Sequence, residues 1–386
     1  MLDIFICFIS YIMPKETKKD HKKHLTLWKK EMQFFETLIN TPSPTGFEYK
    51  GQKAWMDYIK PYVDTIETDS YGSAVAIINP DAKFKVVIEA HCDEISWFVN
   101  YINDDGIIYV IRNGWSDHLI APSKVVDIWT KKWAVKAVFW RPAIHTRRGG
   151  DKEATPKVEN ITLDVWAKSK KEIEKMGIHV GDVITYEDKF FVLNDRYCVG
   201  RALDNRAGGF MIAQVARLLK ENKKKLPFGL YIVNAVQEEI GLKGAEMMAY
   251  RINPDLAIIT DVTHDTTTPM IDAKKEWLIK CGEGPTLARA PSIHNGFMDH
   301  IIETAEKKKI PFQRAASSTY TGTDTDEFAY SRGGRPAVLI SLPLRYMHTT
   351  VEMVEKIDVE HTIQLMYEVL LNLKAGETFS YFSKKK

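Results

Sequence analysis

The chain has 386 residues, of which 45% are hydrophobic, 27% charged and 11% aromatic; this is a globular composition, not that of a disordered, collagenous or repeat-built chain. Lys and Arg total 53 against 51 Asp and Glu, a net charge of +2, so no electrostatic footprint points to nucleic acid or an anionic membrane as a partner. The length predicts one large core with a smaller domain.

At the N-terminus, residues 2–13 (LDIFICFISYIM) are apolar but too few to span a bilayer. Asp3 stands where a secretory signal carries positive charge, and no small-residue cleavage site follows. Met13 then opens a Lys-rich run, MPKETKKDHKKH. The first twelve residues therefore read as a translation-start artefact, with a short membrane-associated leader as the rival; no later stretch is apolar enough to cross a membrane. Apolar residues recur at helical spacing from 25 to 39, and TPSPTGFE (41–48) stops that helix. After a second helix, SAVAIINP (73–80) and KFKVVIEA (83–90) read as strands, the second buried.

From about 100 to 190 the pattern changes to short strands with Gly and Asn-Asp turns, interrupted by one short helix, KKEIEKMG. A small β-rich domain inserted into a larger one is the economical reading. Beyond it, strand and helix alternate: RAGGFMIAQVARLLK helical, FGLYIVNAV a strand, LKGAEMMAY helical, DLAIITDV a strand. SIHNGFMDHIIETAEKKK then reads as a helix, PAVLISLPLR as a strand and VEHTIQLMYEVLLNL as a closing helix. Such alternation predicts an α/β fold with helices on both faces of the sheet. The division expected is 13–99 and 191–386 for the α/β domain and 100–190 for the insertion. The four cysteines (Cys7, Cys92, Cys198, Cys281) lie far apart without a C-x-x-C pair, which argues against a disulfide framework or structural zinc and for a reducing, cytoplasmic setting.

Four strand-like segments end in candidate metal ligands. KVVIEA runs into His91-Cys92-Asp93-Glu94, GLYIVNAV into Gln237-Glu238-Glu239, LAIIT into Asp261, and AVLISLPLRYM into His348. Ligands of open α/β sheets gather at the carboxyl ends of the strands. A fifth candidate, Asp204 in GRALDNR, precedes a helix. Singly, each has a plainer explanation: Asp204 as a helix cap, Asp261 as a strand end, Glu238-Glu239 as a solvated turn, His91 as a structural histidine. Their joint placement favours chemistry. Two imidazoles and three carboxylates suit borderline divalent ions, and one bridging carboxylate would make a two-metal hydrolase site. Residues two apart on a strand face the same way, so Asp93 can orient the His91 ring while Cys92 faces the opposite side, toward the core.

These segments resemble the glutamyl aminopeptidase and tetrahedral aminopeptidase family of co-catalytic metallopeptidases. The resemblance is carried, in order, by VVIEAHCDEISWFV, GRALDNRAG, VNAVQEEIGLKGA, DLAIITDVTHD, TGTDTDEF and LPLRYMHT. It implies a mixed sheet sandwiched by helices with an inserted small β-barrel, and two divalent ions, Zn²⁺ or Co²⁺. It implies that His91 and Asp261 complete one metal site, Glu239 and His348 the other, with Asp204 bridging. It also implies Glu238 as general base, Asp93 as the residue orienting His91, and a cis peptide between Asp204 and Asn205. Peptides with a free N-terminus are the implied substrates, and a homo-oligomer, with twelve subunits favoured, the implied assembly.

The insertion departs most from the family: WRPAIHTRRGGDKEATPK replaces a Pro-His pair, and Trp166 stands where glycine is usual. Neither change touches an implied ligand; both bear on assembly contacts and the mouth of the pocket. Trp133, Phe139 and Trp140 are the apolar residues expected to seek a partner, unless they fill the small domain's core. Gly322, Thr323 and Asp324 are expected to wall the substrate, against the plainer reading of a polar turn. The nearest rival function is a metal-dependent deacylase or amidohydrolase acting on acyl-amino acids. A glycosidase would not require the histidines, and retention of Glu238 with all five ligands argues against an inert scaffold.

Overall fold

The computed structural model describes residues 29–147 and 155–382. The apolar leader, the Lys-rich run up to residue 28, the segment 148–154 and the terminal lysines 384–386 lie outside the described residues.

Helices α1 (Lys29–Asn40) and α2 (Tyr49–Ile59) come first, followed by strands β1 (Thr65–Thr68), β2 (Ala74–Ile78) and β3 (Lys85–His91). Six strands then fold apart from the rest. They are β4 (Ser96–Ile102), β5 (Ile108–Asn113), β6 (Val125–Trp129), β7 (Ala134–Phe139), β8 (Thr162–Asp164) and β9 (Val183–Tyr186), with α3 (Lys170–Met176) before the last. A hairpin, β10 (Phe191–Leu193) and β11 (Tyr197–Gly200), leads back to α4 (Leu203–Glu221), β12 (Gly229–Ala235), α5 (Lys243–Ile252) and β13 (Leu256–His264). The remainder is α6 (Ala273–Glu276), β14 (Thr286–Arg289), α7 (Asn295–Lys308), β15 (Gln313–Ala316) and α8 (Thr325–Tyr330). Then come β16 (Ala337–Leu344), β17 (Glu352–Glu355) and α9 (Lys356–Asn372).

Eight strands form one mixed sheet in the order β1-β2-β12-β3-β13-β16-β14-β15. The central four, β12, β3, β13 and β16, are mutually parallel, and β2 and β14 join them antiparallel. The central strands are runs of Val, Ile, Leu and Ala buried along nearly their whole length, as expected for strands covered on both faces. Helix α4 packs on β3 and β13 with α9 alongside, while α5 and α8 pack together against β12, β13 and β16. The Gly208-Gly209 pair allows α4 its close approach. A Cβ on Gly208 would lie 2.8 Å from the Ala90 Cβ, and one on Gly209 2.8 Å from the Asn234 Oδ1.

Strands β4-β5-β8-β7-β6-β9 close into a barrel, which leaves no free edge. Its core is separate from that of the sheet and includes Trp97, Ile128, Phe139, Leu163 and Ile184. One expectation is corrected here. Phe139 is only 1% exposed, whereas Trp133 and Trp140 are 54% and 45% exposed. Phe139 ends β7 on its inward side, stacking edge-on against Trp97 at 5.6 Å, so it fills the core and the two tryptophans do not.

A three-stranded sheet, β10-β11-β17, has no counterpart in the sequence reading. The Asn194-Asp195 turn, with φ of +52° and +54° at its two residues, is a hairpin signal. The third strand enters from more than 150 residues away and leaves no local trace.

Candidate metal centre

Register sets the level of the first donors. Ala235 of β12 pairs with His91 at the end of β3. On the other side Ile259 of β13 pairs with Glu89, and two residues further the same register puts Asp261 level with His91. Asp261 does not end its strand, which continues to His264 alongside β16. His91 Nε2 lies 3.8 Å from Asp261 Oδ1 and 3.2 Å from Asp204 Oδ1.

Asp204 sits where α4 begins, in a non-helical stretch with a cis peptide to Asn205. Capping falls to the neighbour: Asn205 Oδ1 accepts from the Gly208 N–H at 3.1 Å, and its Nδ2 donates to the Thr260 carbonyl at 2.7 Å. The Asp204 carboxylate is thereby left to the cluster. Its second oxygen is 3.3 Å from His348 Nε2, which is also 3.5 Å from Glu239 Oε2.

Two adjacent glutamates can face one site only if the strand turns. β12 ends at Ala235, and Gln237 then takes a left-handed φ of +57°. Asp93 holds that turn, accepting from the Glu238 N–H at 3.0 Å through one oxygen and from the Glu239 N–H at 3.2 Å through the other. Thr45 Oγ1 donates to it as well, at 2.9 Å. His91 Nδ1 is 3.4 Å from Asp93 Oδ1, within ion-pair reach but outside hydrogen-bond alignment. Asp93 thus anchors the glutamate turn at least as firmly as it faces the imidazole, a role the i, i+2 spacing gave no sign of.

Two further anchors were not read from the sequence. Glu352, at the start of β17, accepts from the Asp204 N–H at 3.0 Å and from the His348 N–H at 2.7 Å. One buried carboxylate therefore fixes the backbone at two donors 144 residues apart in the chain. Arg206 is fully buried and donates to the Leu38 and Ile39 carbonyls at 2.9 Å, tying the end of α1 to the segment that carries Asp204. Glu94 pairs with both Arg206 and Arg201 and accepts from the Ser43 N–H. Nothing local in the sequence marks these contacts, since each joins distant elements.

The crowding has electrostatic consequences. Burial pushes the Glu238 carboxyl up to about 10, and burial likewise lifts Asp261 to about 7 and Glu239 well above the ordinary range. Asp204 moves the other way: burial would raise it, but hydrogen bonds from His348 and His91 outweigh that and hold it below the usual carboxylate range. His91 is raised despite burial, because Glu238, Asp204 and Asp93 surround it. Three groups of potential donors lie within 4.8 Å of one another: His91, Asp204 and Asp261; Asp204, Glu239 and His348; and His91, Glu238 and Glu239. Oxygen and nitrogen donors, no thiolate, and an excess of buried carboxylate over cationic groups fit divalent metal. Cys92 is buried and outside these groups.

The cluster opens into a cleft of about 660 Å³. Gly322 and Thr323 line it, but Asp324 does not; it is fully buried and faces the buried Glu89, and burial raises both carboxyls. His264 also reaches the cleft wall, as does Trp115 from the loop after β5.

The sequence profile of the M42 glutamyl aminopeptidase family matches residues 72–365. A lysyl aminopeptidase of Pyrococcus furiosus is 31% identical over 349 residues, covering 89% of this chain and 98% of the relative. A TET aminopeptidase from a marine-sediment Thaumarchaeota archaeon (SCGC AB-539-E09) superposes with a TM-score of 0.85 at 28% identity, over 89% of this chain and 96% of the other. The TET1 peptidase of Pyrococcus horikoshii, which can assemble into a tetrahedron or a large octahedral shell, shares the fold with a TM-score of 0.79 at 22% identity, over 89% of this chain and all of the other (100%). With its mixed sheet, closed barrel and carboxylate-histidine cluster, the chain belongs to the M42 glutamyl aminopeptidase family and is a peptide hydrolase of the aminopeptidase kind.

Proposed function

We propose that this protein removes the N-terminal residue of peptides with two divalent ions and with Glu238 as general base. The observation that carries the proposal is the sharing of Asp204 between two donor groups, one completed by His91 and Asp261 and the other by Glu239 and His348. A carboxylate shared in this way between two donor groups would let the chain hold two ions for hydrolysis. The donor set suits Zn²⁺ or Co²⁺. Bound there, the ions would supply Lewis acidity, lowering the pKa of a water and polarising the scissile carbonyl.

The chain's own groups do the proton work. Glu238 lies with His91 and Glu239 in the third donor group, so its carboxylate reaches a donor of each proposed site. It takes a proton from the attacking water and returns it to the leaving amine. Asp93, through the Glu238 and Glu239 N–H groups, keeps the two glutamates in their separate tasks. The substrate's free α-amino group is read at the same cluster, which confines cleavage to the first residue.

Cys92, Cys198 and Cys281 are unpaired, which supports a reducing, cytoplasmic compartment; among the described residues no helix is long and apolar enough to cross a membrane. Likeness to a TET aminopeptidase and exposed barrel tryptophans support a homo-oligomer, with twelve subunits favoured. The test is metal removal. Chelation should abolish release of N-terminal residues, and Zn²⁺ or Co²⁺ should restore it with two ions bound per chain. Full activity after complete stripping, or rapid internal cleavage of an N-acetylated peptide, would sink the proposal.

A further inference from the structure

Glu48 is a buried carboxyl with no task in the proton work described above. It stands immediately before α2, at the position of a helix cap, where a carboxylate ordinarily serves the free N–H groups and the positive end of the helix. Its side chain makes no such bond to the first turn of α2. Instead Oε1 accepts from the Gly46 N–H at 2.7 Å, and the Gln237 N–H lies against the same carboxyl. Only 3% of the residue is exposed.

Gln237 is the left-handed hinge of the two-glutamate turn. One helical turn along α2, on the face that Glu48 shares, Gln52 is buried as well and grips the strand just before that hinge. Its Nε2 donates to the Asn234 carbonyl at 2.7 Å, and its Oε1 accepts from Asn234 Nδ2 at 2.8 Å. Gly51 lets the helix come in this close, since a Cβ there would lie 2.5 Å from Ser43 Oγ. The strap leading into α2 is fastened to the residues after β3: the Ser43 carbonyl accepts from the Glu94 N–H at 3.0 Å, and the Thr45 N–H donates to the Glu94 carbonyl at 3.1 Å. The turn is therefore gripped from two sides. Asp93 takes the N–H groups of Glu238 and Glu239, and Glu48 faces that of Gln237. A left-handed glutamine persists only where its surroundings hold it there, and a regular strand would send one of the two glutamates to the opposite face.

We propose that Glu48 is a positioning residue for the reaction: through the Gln237 hinge it fixes the turn that presents Glu238 and Glu239 to one site. This rests on the reading of Glu238 as general base and Glu239 as metal donor, and adds what keeps them side by side.

The test compares kcat, KM, metal titration and thermal midpoint of the full chain as Glu48→Asp and Glu48→Gln, with leucyl and lysyl p-nitroanilides as substrates. Aspartate keeps the charge and is a preferred helix cap, but it falls one methylene short of the hinge. Glutamine loses the charge and keeps the length and an acceptor oxygen. Glu48→Asp should lower kcat at saturating metal roughly tenfold to a hundredfold with KM little changed, and should weaken binding of the ion held by Glu239 and His348, whereas Glu48→Gln should keep most of the parent's rate. In a Glu238→Gln background Glu48→Asp should cost much less kcat, because the group it positions is already disabled. The opposite order, with Glu48→Asp fully active and Glu48→Gln impaired, would make Glu48 a charge for the helix end and overturn the assignment. So would variants that shift only the thermal midpoint, or an equal loss of kcat in both backgrounds. A fully active Glu238→Gln would sink the general-base reading instead. Weaker metal binding in Glu48→Asp would then still uphold the hinge, and unchanged binding would overturn it too.

Discussion

The central sheet and the inserted barrel solve different problems with the same element. In the sheet, parallel register across β12, β3 and β13 brings Ala235, His91 and Asp261 to one level. A one-residue slip would turn every side chain of a strand to the other face. Donors carried on such strands are therefore fixed by dozens of buried neighbours. The barrel is closed and self-contained, and reaches the cleft through one loop. Asn113 Nδ2 donates to the Thr45 carbonyl and to Ser96 Oγ at 2.8 Å, and a Cβ on the next residue, Gly114, would come within 3.3 Å of the Glu239 Cβ. The candidate donors sit where the fold is over-determined, whereas the barrel adds one loop to the cleft wall. Substitutions in the two regions should separate rate from stability and assembly.

The largest effect is expected at Glu238. Glu238→Gln keeps the shape but cannot take a proton, so kcat should fall about 10²–10⁴-fold with metal content near normal. Glu239→Gln weakens an anionic donor instead, so one ion should be lost and partly regained at high metal concentration. Metal analysis alongside kcat decides between them. Loss of metal in Glu238→Gln, with both ions kept in Glu239→Gln, would exchange the two roles.

Next comes the barrel's own core. Phe139→Ala removes a ring buried against Trp97 and Tyr186 and should cost about 3–5 kcal/mol of barrel stability. Because the barrel's hydrophobic cluster is distinct from that of the sheet, the change should appear as an earlier thermal transition followed by Trp fluorescence. Donor geometry in the sheet should survive below that transition, so a variant that loses metal and barrel together would show the two cores to be one unit.

What the sequence made legible follows the same division. The elements around the five donors were readable because buried parallel strands are continuous Val-Ile-Leu runs and each ended near a His or a carboxylate. Two adjacent glutamates reach one site only through a turn, and its hinge at Gln237, with φ of +57°, is illegible because Gln carries no turn signal. The anchors Glu352, Arg206 and Thr45 were invisible because each acts on a residue far away in the chain. Phe139 is hard to place for the opposite reason. A short strand with aromatic residues at both ends, Trp133 and Trp140 flanking β7, shows no register until the barrel closes. Trp115, Trp277 and Tyr320 reach the cleft wall from three separate loops, and nothing local in the sequence marks their convergence.

Glu352 gives an intermediate effect on the sheet side. Glu352→Gln keeps one carbonyl oxygen but presents an amide N–H₂ to the other backbone N–H, either at Asp204 or at His348. Partners of this sort outside the donor set typically change metal affinity about 10–100-fold when altered. Weaker affinity is expected at the site that includes His348 or at both, with kcat at saturating metal recovering most of its value. Unchanged metal titration would mean that the donors are held without this carboxylate.

The smallest effect on the folded chain is expected on the barrel's exterior. Trp133 and Trp140 are half-exposed and lie outside both hydrophobic clusters, so Trp133→Ser and Trp140→Ser should move unfolding free energy by no more than about 0.5 kcal/mol. Their exposed area has a different use if copies of the chain meet there, because aromatic side chains dominate the binding energy of interfaces. Removing both should then shift the sedimentation profile toward smaller species while kcat per chain on a p-nitroanilide substrate stays close to its starting value. Light scattering that finds the same large particle in the double variant would exclude this face from the assembly. A stable monomer in the parent protein at micromolar concentration would remove the homo-oligomer from the reading altogether, and the exposed tryptophans would then be ordinary surface residues of a closed barrel.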